Sequence, residues 1–256
     1  MTNQPTMDPS KLLDYRPAPE LLRDRVILVT GAAQGIGRAV ALACAAGGAT
    51  VVLLDKTIKG LEAVYDEIES AGQPQAAIYP MNFEGATVKD YGDLAENIGN
   101  ELGRLDGIVN NAGWVGALTP FKHFDPDVWA RVMSVNLHAP FLLTRACLPL
   151  LEQAPDPAIV FSAQACSRAY WGAFGVAKAG LESMLAILAD EYDGERFMRV
   201  NGVDTGPART TLRRINYPGE DPNTLPTPER FVGPYLYLLG PDAGRSTGQI
   251  LRYDLR

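Results

Sequence analysis

Seven short runs of apolar, largely β-branched residues recur along the chain and are separated by longer stretches with helical spacing. Continuous apolar strands that alternate with amphipathic helices are typical of a parallel β-sheet covered by helices on both faces. The pattern therefore predicts a doubly wound α/β fold with a seven-stranded parallel sheet. The predicted strands are Val26–Val29, Val51–Leu54, Ala77–Tyr79, Gly107–Val109, Ala158–Phe161, Arg199–Val203 and Gln249–Leu251.

The alternation of strands and helices is unbroken, which predicts a single domain over residues 25–256 of the 256-residue chain. A chain of this length can bury one large core. Residues 1–24 are polar and contain several prolines, so we expect an arm that lies on the surface or on a partner. Residues 215–227 are rich in turn-forming residues and predict a loop after the sixth strand. The predicted helices are Ile36–Ala46, Gly60–Ala71, Val88–Leu102, Val128–Leu150, Gly172–Tyr192 and Pro228–Leu239.

Composition argues against several classes of protein. The net charge of −7 disfavours general binding of nucleic acid, which needs a basic surface. No uninterrupted apolar run is long enough to predict a membrane span, and the N-terminus lacks the pattern of a signal peptide. The cysteines and histidines are too few and too scattered for a metal site. The three scattered cysteines do not suggest a disulfide framework and so indicate a reducing, cytoplasmic setting. These residues are Cys44, Cys147, Cys166, His123 and His138.

A glycine-rich segment, Thr30–Gly37, joins the first predicted strand to the first predicted helix. Such a turn lets backbone N–H groups and the positive end of a helix meet a pyrophosphate. A tight turn without a ligand is the alternative, but the position after strand one of a parallel sheet favours a dinucleotide. The residues expected to contact it here are Gly31, Gln34, Gly35, Ile36 and Gly37.

Asp55 ends the second predicted strand, 18 residues beyond Gly37. This is close to the spacing of about 20 residues at which an acidic side chain binds the ribose hydroxyls of the adenosine. Its carboxylate would accept from a 2′-OH and repel a 2′-phosphate, which favours NAD over NADP. Two alternatives stay open: Lys56 could pair with a 2′-phosphate, and Asp55 could cap the following helix.

Polar and small residues follow the next two predicted strands. Asn82 and Phe83 come after the third strand, where Asn82 could hydrogen-bond to the adenine. Asn110, Ala112 and Gly113 belong to an Asn-Asn-Ala-Gly segment after the fourth strand, and its small residues would let the backbone approach a cofactor. Asn is also common in turns without any ligand. The order of these segments on this fold favours the cofactor interpretation.

Together these motifs resemble the short-chain dehydrogenase/reductase family, and the resemblance covers about residues 22–254. It implies a Rossmann-type fold that binds NAD or NADP and catalyses oxidoreduction. Within that family the chain is similar to the YciK-type bacterial oxidoreductases. The segments that carry this similarity are 15–25, 171–173 and 189–192. The motifs that carry the family resemblance are Thr30–Gly37, Asn110–Gly113, Ser134–Leu137, Lys178, Arg199–Asn201 and Thr247–Gln249.

The resemblance implies a catalytic set of Asn, Ser, Tyr and Lys, of which this chain keeps two. Asn136 matches the asparagine that holds a proton-relay water, and Lys178 matches the lysine that binds the nicotinamide ribose. Phe174 stands at the tyrosine position, where the family has its proton donor. Gln164 stands near the serine position. A phenyl ring cannot donate a proton, so we expect the standard activity to be weak or absent.

Two further segments bear on the site. Tyr170 lies one helical turn before the tyrosine position and could replace the missing phenol, although packing beside Trp171 is the alternative. Trp114 either lines the substrate pocket or packs beneath a loop. After the sixth strand, Gly206 and Thr210 match the family's cofactor-binding pattern, and the resemblance implies that the backbone at Ala208 bonds to the nicotinamide carboxamide.

Three functions remain compatible with the sequence, and it names no substrate. The chain could be an oxidoreductase with a rearranged site, a non-catalytic dinucleotide-binding sensor or scaffold, or a lyase or isomerase that uses the same pocket. The apolar residues of segment 172–192 resemble the family's helix-pair interface and predict a homodimer or homotetramer. They are Leu181, Met184, Leu185 and Leu188.

Overall fold

The computed structural model describes residues 8–254 and confirms the predicted sheet. Its strands are β1 Val26–Thr30, β2 Thr50–Asp55, β3 Ala77–Pro80, β4 Gly107–Asn110, β5 Ala158–Ser162, β6 Arg199–Asp204 and β7 Ile250–Arg252. All six neighbouring pairs are parallel, in the order β3-β2-β1-β4-β5-β6-β7. The chain moves outward from β1 in one direction and then from β4 in the other, which leaves a crevice between these two strands.

Helices cover both faces of this sheet. They are α1 Pro9–Leu12, α2 Gly35–Ala46, α3 Ile58–Ser70, α4 Val88–Leu102, α5 Pro126–Met133, α6 Ala139–Leu151, α7 Gly172–Glu191, α8 Thr211–Asn216 and α9 Val232–Leu239. One apolar core lies between the sheet and α2, α3 and α9, and a second lies between the sheet and α4, α6 and α7. Alternate residues of β1 serve the two cores: Ile27 and Val29 belong to the first, Val26 and Leu28 to the second. The fold is thus doubly wound, as predicted.

The longest predicted helix, Val128–Leu150, is wrong as a single α-helix. It consists of α5, a π-helical turn over Ser134–His138, and α6. Helical spacing in a sequence cannot reveal one added residue in a turn, so the interruption was invisible there. Similarly, α8 enters the predicted loop 215–227, and the predicted helix 228–239 begins with a 3₁₀ turn over Pro228–Phe231.

The described part of the N-terminal segment packs against the domain. Leu12 and Leu22 are buried in the core that contains α9. The ring of Tyr15 lies edge-on against Tyr237, with the ring centroids 5.4 Å apart, and its hydroxyl donates to Asp242 at 2.6 Å. Residues 8–24 therefore form part of the folded unit, while residues 1–7 of the predicted arm lie outside the described residues.

Two of the four α7 residues that were predicted to form an interface face the protein's own core. Leu181 and Leu185 are buried against the sheet, and Met184 and Leu188 are partly buried beside them. This helix is long and apolar enough to span a membrane by composition, but about half of it is buried in the fold. Packing on the sheet explains the apolar character of Leu181 and Leu185, while an interface through Met184 and Leu188 stays a prediction.

Candidate functional site

A cavity of about 380 Å³ opens at the carboxyl ends of the central strands, where the strand order reverses. Doubly wound folds bind ligands at this point because loops from both halves of the sheet diverge there. The cavity runs from the glycine-rich turn to the start of α7. The predicted site residues that line it are Gly31, Gln34, Gly35, Ile36, Asp55, Asn82, Phe83, Ala112, Gly113, Gln164, Phe174, Lys178 and Thr210.

The glycine-rich turn has the backbone geometry that a phosphate site requires. Gly31 and Gly35 have φ values of +68° and +58°, which L side chains rarely adopt. Gly37 lies beneath the turn, where an added Cβ would come within 2.2 Å of the carbonyl oxygen of Gly31. The turn therefore brings backbone close to the cavity at the N-terminus of α2, where N–H groups favour an anion.

A set of hydrogen bonds fixes this turn to the segment after β4. The Thr30 hydroxyl oxygen accepts from the backbone N–H groups of Asn111 and Ala112 at 2.9 and 3.0 Å. The side-chain amide of Asn111 donates to the Thr30 carbonyl at 3.0 Å. Asn111 lines the cavity but was not predicted as a site residue. It holds the two cofactor-binding loops at a fixed separation.

Two backbone N–H groups fix the Asp55 carboxylate, which does not cap α3, since the N-cap residue of that helix is Thr57. Its carboxylate accepts from the backbone N–H of Thr57 at 2.9 Å, just before α3, and from Ala33 N–H at 3.4 Å. It also lines the cavity. Asn82 accepts from the N–H of Glu84 at 3.1 Å in a turn and lines the same end of the cavity. These residues suit an adenosine ribose beside the glycine-rich turn.

Lys178 lies at the opposite end of the cavity. Its Nζ donates to the Ser162 carbonyl at 2.7 Å, and its side chain is almost fully buried. Burial lowers the pKa of this amine to about 8, since a charged form loses hydration there. The ring of Phe174 is also buried, with its centroid 5.5 Å from Nζ. The lysine thus faces an aromatic ring where a phenol oxygen is implied by the family resemblance.

The hydroxyl groups near Lys178 are already bonded to one another. The Ser162 hydroxyl donates to Asn111 Oδ1 at 3.2 Å and lies 2.7 Å from the hydroxyl of Tyr235. The Ser162 hydroxyl therefore connects Asn111 to Tyr235, and either hydroxyl of the Ser162–Tyr235 pair can be the donor. Burial raises the pKa of Tyr235 well above its usual range. Tyr235 was not predicted as a site residue, because the sequence gives no signal that α9 reaches the cavity.

Some predicted residues do not line the cavity. Asn110 is buried and donates to the Thr144 hydroxyl on α6 at 3.2 Å, so its side chain points into the second core. Asn136 lies in the π-helical turn, where its amide donates to the Trp114 and Val132 carbonyls. Its role there is to fix Trp114, which does line the cavity. Gly37, Gly206 and Ala208 are likewise absent from the lining, as is Tyr170.

Tyr170 is placed away from the cavity by the backbone before α7. It has a φ of +75°, and its side chain is 58% exposed. The loop that connects β5 to α7 turns it toward solvent, while Trp171 is buried against Phe174 with the ring centroids 5.7 Å apart. Tyr170 therefore neither lines the cavity nor packs in the core.

Comparison with known proteins agrees with this fold. The family model for short chain dehydrogenases matches residues 25–220. The uncharacterized oxidoreductase YciK of Escherichia coli K12 is 41% identical over 241 residues, which cover 92% of this chain and 94% of YciK. The chain belongs to the short-chain dehydrogenase/reductase family, an oxidoreductase family whose members bind NAD(P).

Two solved structures are close in both sequence and shape. A short chain dehydrogenase from Pseudomonas syringae is 47% identical, with a TM-score of 0.90 and coverage of 93% of this chain and 97% of its own. One from Escherichia coli CFT073, solved in complex with NADPH, is 41% identical, with a TM-score of 0.87 and coverage of 91% and 98%. The likeness extends over nearly the whole of each protein.

Proposed function

We propose that this chain binds NAD(H) in the cavity and has little or no conventional carbonyl–alcohol activity. The observation that carries this proposal is the buried ring of Phe174 beside Lys178, in a cavity that keeps the features of a dinucleotide site. The related dehydrogenase from E. coli CFT073 was solved with NADPH, which supports dinucleotide binding in this relative.

The residues present fit a dinucleotide along the whole cavity. The turn Gly31–Gly37 would hold the pyrophosphate, Asp55 the adenosine ribose and Lys178 the nicotinamide ribose. The close approach of the backbone at Gly31 and Gly37 would be lost if either carried a Cβ. When bound, the nicotinamide ring supplies or accepts hydride. The protein must then supply the proton, and this is the part that the cavity lacks.

General acid–base catalysis by a positioned side chain contributes about 10²- to 10⁴-fold to a rate. Phe174 has no proton to donate, and Ala163 and Gln164 line the cavity where the resemblance implies a serine hydroxyl. Tyr235 is a tyrosine that lines the cavity, but its hydroxyl is already hydrogen-bonded to that of Ser162. The paired loss of acid and oxygen-binding hydroxyl favours a dinucleotide-binding role over ordinary turnover.

The preference for NAD(H) over NADP(H) rests on Asp55. Its carboxylate lies at the cavity wall, where it would accept from a 2′-OH and repel a 2′-phosphate. We expect calorimetric titration to give tighter binding of NADH than of NADPH, and Asp55→Ala to narrow the difference by about tenfold. Equal affinities in the wild type, or tighter binding of NADPH, would contradict this preference.

We also propose that the chain is a homodimer or homotetramer. Since Leu181 and Leu185 are buried in the core, the support comes from other residues: Phe141 on α6 and Val176 and Ile187 on α7 are exposed apolar side chains. Light scattering at micromolar concentration should give at least twice the mass of one chain. A monomeric mass would reject the proposal, and Ile187→Glu should shift the assembly toward monomer.

The proposed setting is the cytoplasm. All three cysteines are free and buried, so none forms a disulfide. Burial raises the pKa of each thiol, to about 12 for Cys44 and Cys147 and about 11 for Cys166. Unpaired cysteines of this kind are typical of proteins from a reducing compartment.

A further inference from the structure

We propose that Glu84 selects NAD(H) over NADP(H) by holding Lys56, which lines the cavity and would otherwise attract a 2′-phosphate, in an ion-pair cluster with Arg131. The inference deepens the proposed function and rests on a dinucleotide bound in the cavity. It assigns a selectivity role to a carboxylate that does not need to touch the cofactor. The role is distinct from that of Asp55, which acts by direct repulsion and by accepting from ribose hydroxyls.

Glu84 uses its two carboxylate oxygens for two different partners. Oε1 accepts from Lys56 Nζ at 2.9 Å, while Oε2 accepts from Arg131 Nε and Nη2 at 2.8 and 2.6 Å. The Glu84 side chain is 17% exposed, whereas those of Lys56 and Arg131 are about half exposed. A largely enclosed carboxylate therefore fixes two cations that solvent would otherwise leave mobile.

The cluster lies at the end of the cavity where the adenosine ribose is expected. Lys56 directly follows Asp55, and both line the cavity together with Glu84. Arg131 reaches the cluster from α5 and is held on its other side by Trp114, with the guanidinium carbon 4.6 Å from the ring centroid. Trp114 also lines the cavity. The aromatic ring and the carboxylate together fix the guanidinium in one orientation.

The charges of this cluster and of the adjacent Asp55 cancel. Asp55 and Glu84 are the two anions, and Lys56 and Arg131 are the two cations. The two cations lower the pKa of Glu84, so the carboxylate stays ionised at neutral pH. A neutral cluster gives a 2′-phosphate no net attraction, and Lys56 would have to leave Glu84 before it could bind one. Without the Glu84 charge, the cluster becomes net positive and Lys56 is released beside the ribose.

The test is Glu84→Gln, which keeps the side-chain length and removes the charge. We expect calorimetry to show NADPH affinity rising about tenfold relative to NADH, since one unit charge at short range near a surface has this order of effect. The double variant with Lys56→Gln should return the ratio of affinities to near the wild-type value. The control is Glu101→Gln on α4, which removes the same charge from an exposed position away from the cavity.

The outcomes separate this inference from the proposed function. If the wild type binds NADH but Glu84→Gln leaves the NADPH-to-NADH ratio within twofold, the role of Glu84 is refuted and dinucleotide binding stands. An equal shift in Glu101→Gln would also refute it, because the effect would then be one of net charge alone. If neither the wild type nor Glu84→Gln binds either dinucleotide, both the inference and the proposed function fail.

Discussion

Gly37→Ala is expected to abolish binding of NADH and to lower the free energy of unfolding by about 3 kcal/mol. The new Cβ would lie 2.2 Å from the carbonyl oxygen of Gly31 and 2.5 Å from the side-chain amide of Asn111. The first of these neighbours is backbone, so relief requires the whole turn to move. A displaced turn loses the positive φ at Gly31 and the hydrogen bonds that join it to Asn111. Calorimetric titration and urea unfolding would measure the two effects.

The matched control for this variant is Gly92→Ala. Gly92 lies inside α4 on an exposed surface, with no heavy atom within 4 Å of an added Cβ. Alanine is favoured over glycine in a helix by about 1 kcal/mol, so this variant should be slightly more stable and bind NADH normally. Normal NADH binding by Gly37→Ala would contradict the assignment of the turn to the pyrophosphate.

The wild-type protein is expected to show almost no NAD-linked turnover of common carbonyl and alcohol substrates, at least a hundredfold below the same reaction with an acid in place. Phe174 lies beside Lys178 and has no proton to donate. The Tyr235 hydroxyl is hydrogen-bonded to Ser162. Substrate screening by NADH absorbance would measure this. Phe174→Tyr combined with Gln164→Ser is expected to restore a trace of activity, whereas Phe174→Leu should restore none.

A different result would identify a relocated acid. Robust wild-type turnover that is abolished by Tyr170→Phe would contradict the degenerate site, because it would require the loop before α7 to move this exposed phenol into the cavity. Turnover that is insensitive to Tyr170→Phe and is lost in Tyr235→Phe would assign the acid to α9 instead. An inert wild type that still binds NADH supports a sensor or scaffold role.

Much of the site could be predicted from the sequence because it depends on local pattern. The alternation of apolar strands and helices predicted the parallel sheet, and the glycine-rich segment after β1 predicted the turn at the crevice. Thirteen of the predicted residues line one cavity, from Gly31 to Thr210. Parallel strands bring their carboxyl ends to one edge of the sheet. Residues that follow different strands therefore meet there, and the positions of the strands in the sequence are enough to predict this.

Other features depended on contacts that no local pattern contains. The side chain of Asn110 points to Thr144 rather than to the cavity, and Leu181 and Leu185 of α7 are buried on the sheet. Tyr235 reaches Ser162 from a helix distant in the chain. Each of these contacts depends on which side chains become neighbours when the helices pack on the sheet.

The sequence by itself determined the fold class and the family, and it places a phenyl ring at position 174, because each of these depends on residue type and spacing. Tertiary structure alone decided that Lys178 is buried beside that ring, that Tyr170 is turned to solvent, and that Glu84 joins Lys56 to Arg131. Burial and ion pairing depend on atoms brought together from different elements. The spacing of residues along the sequence does not specify the distances between those atoms.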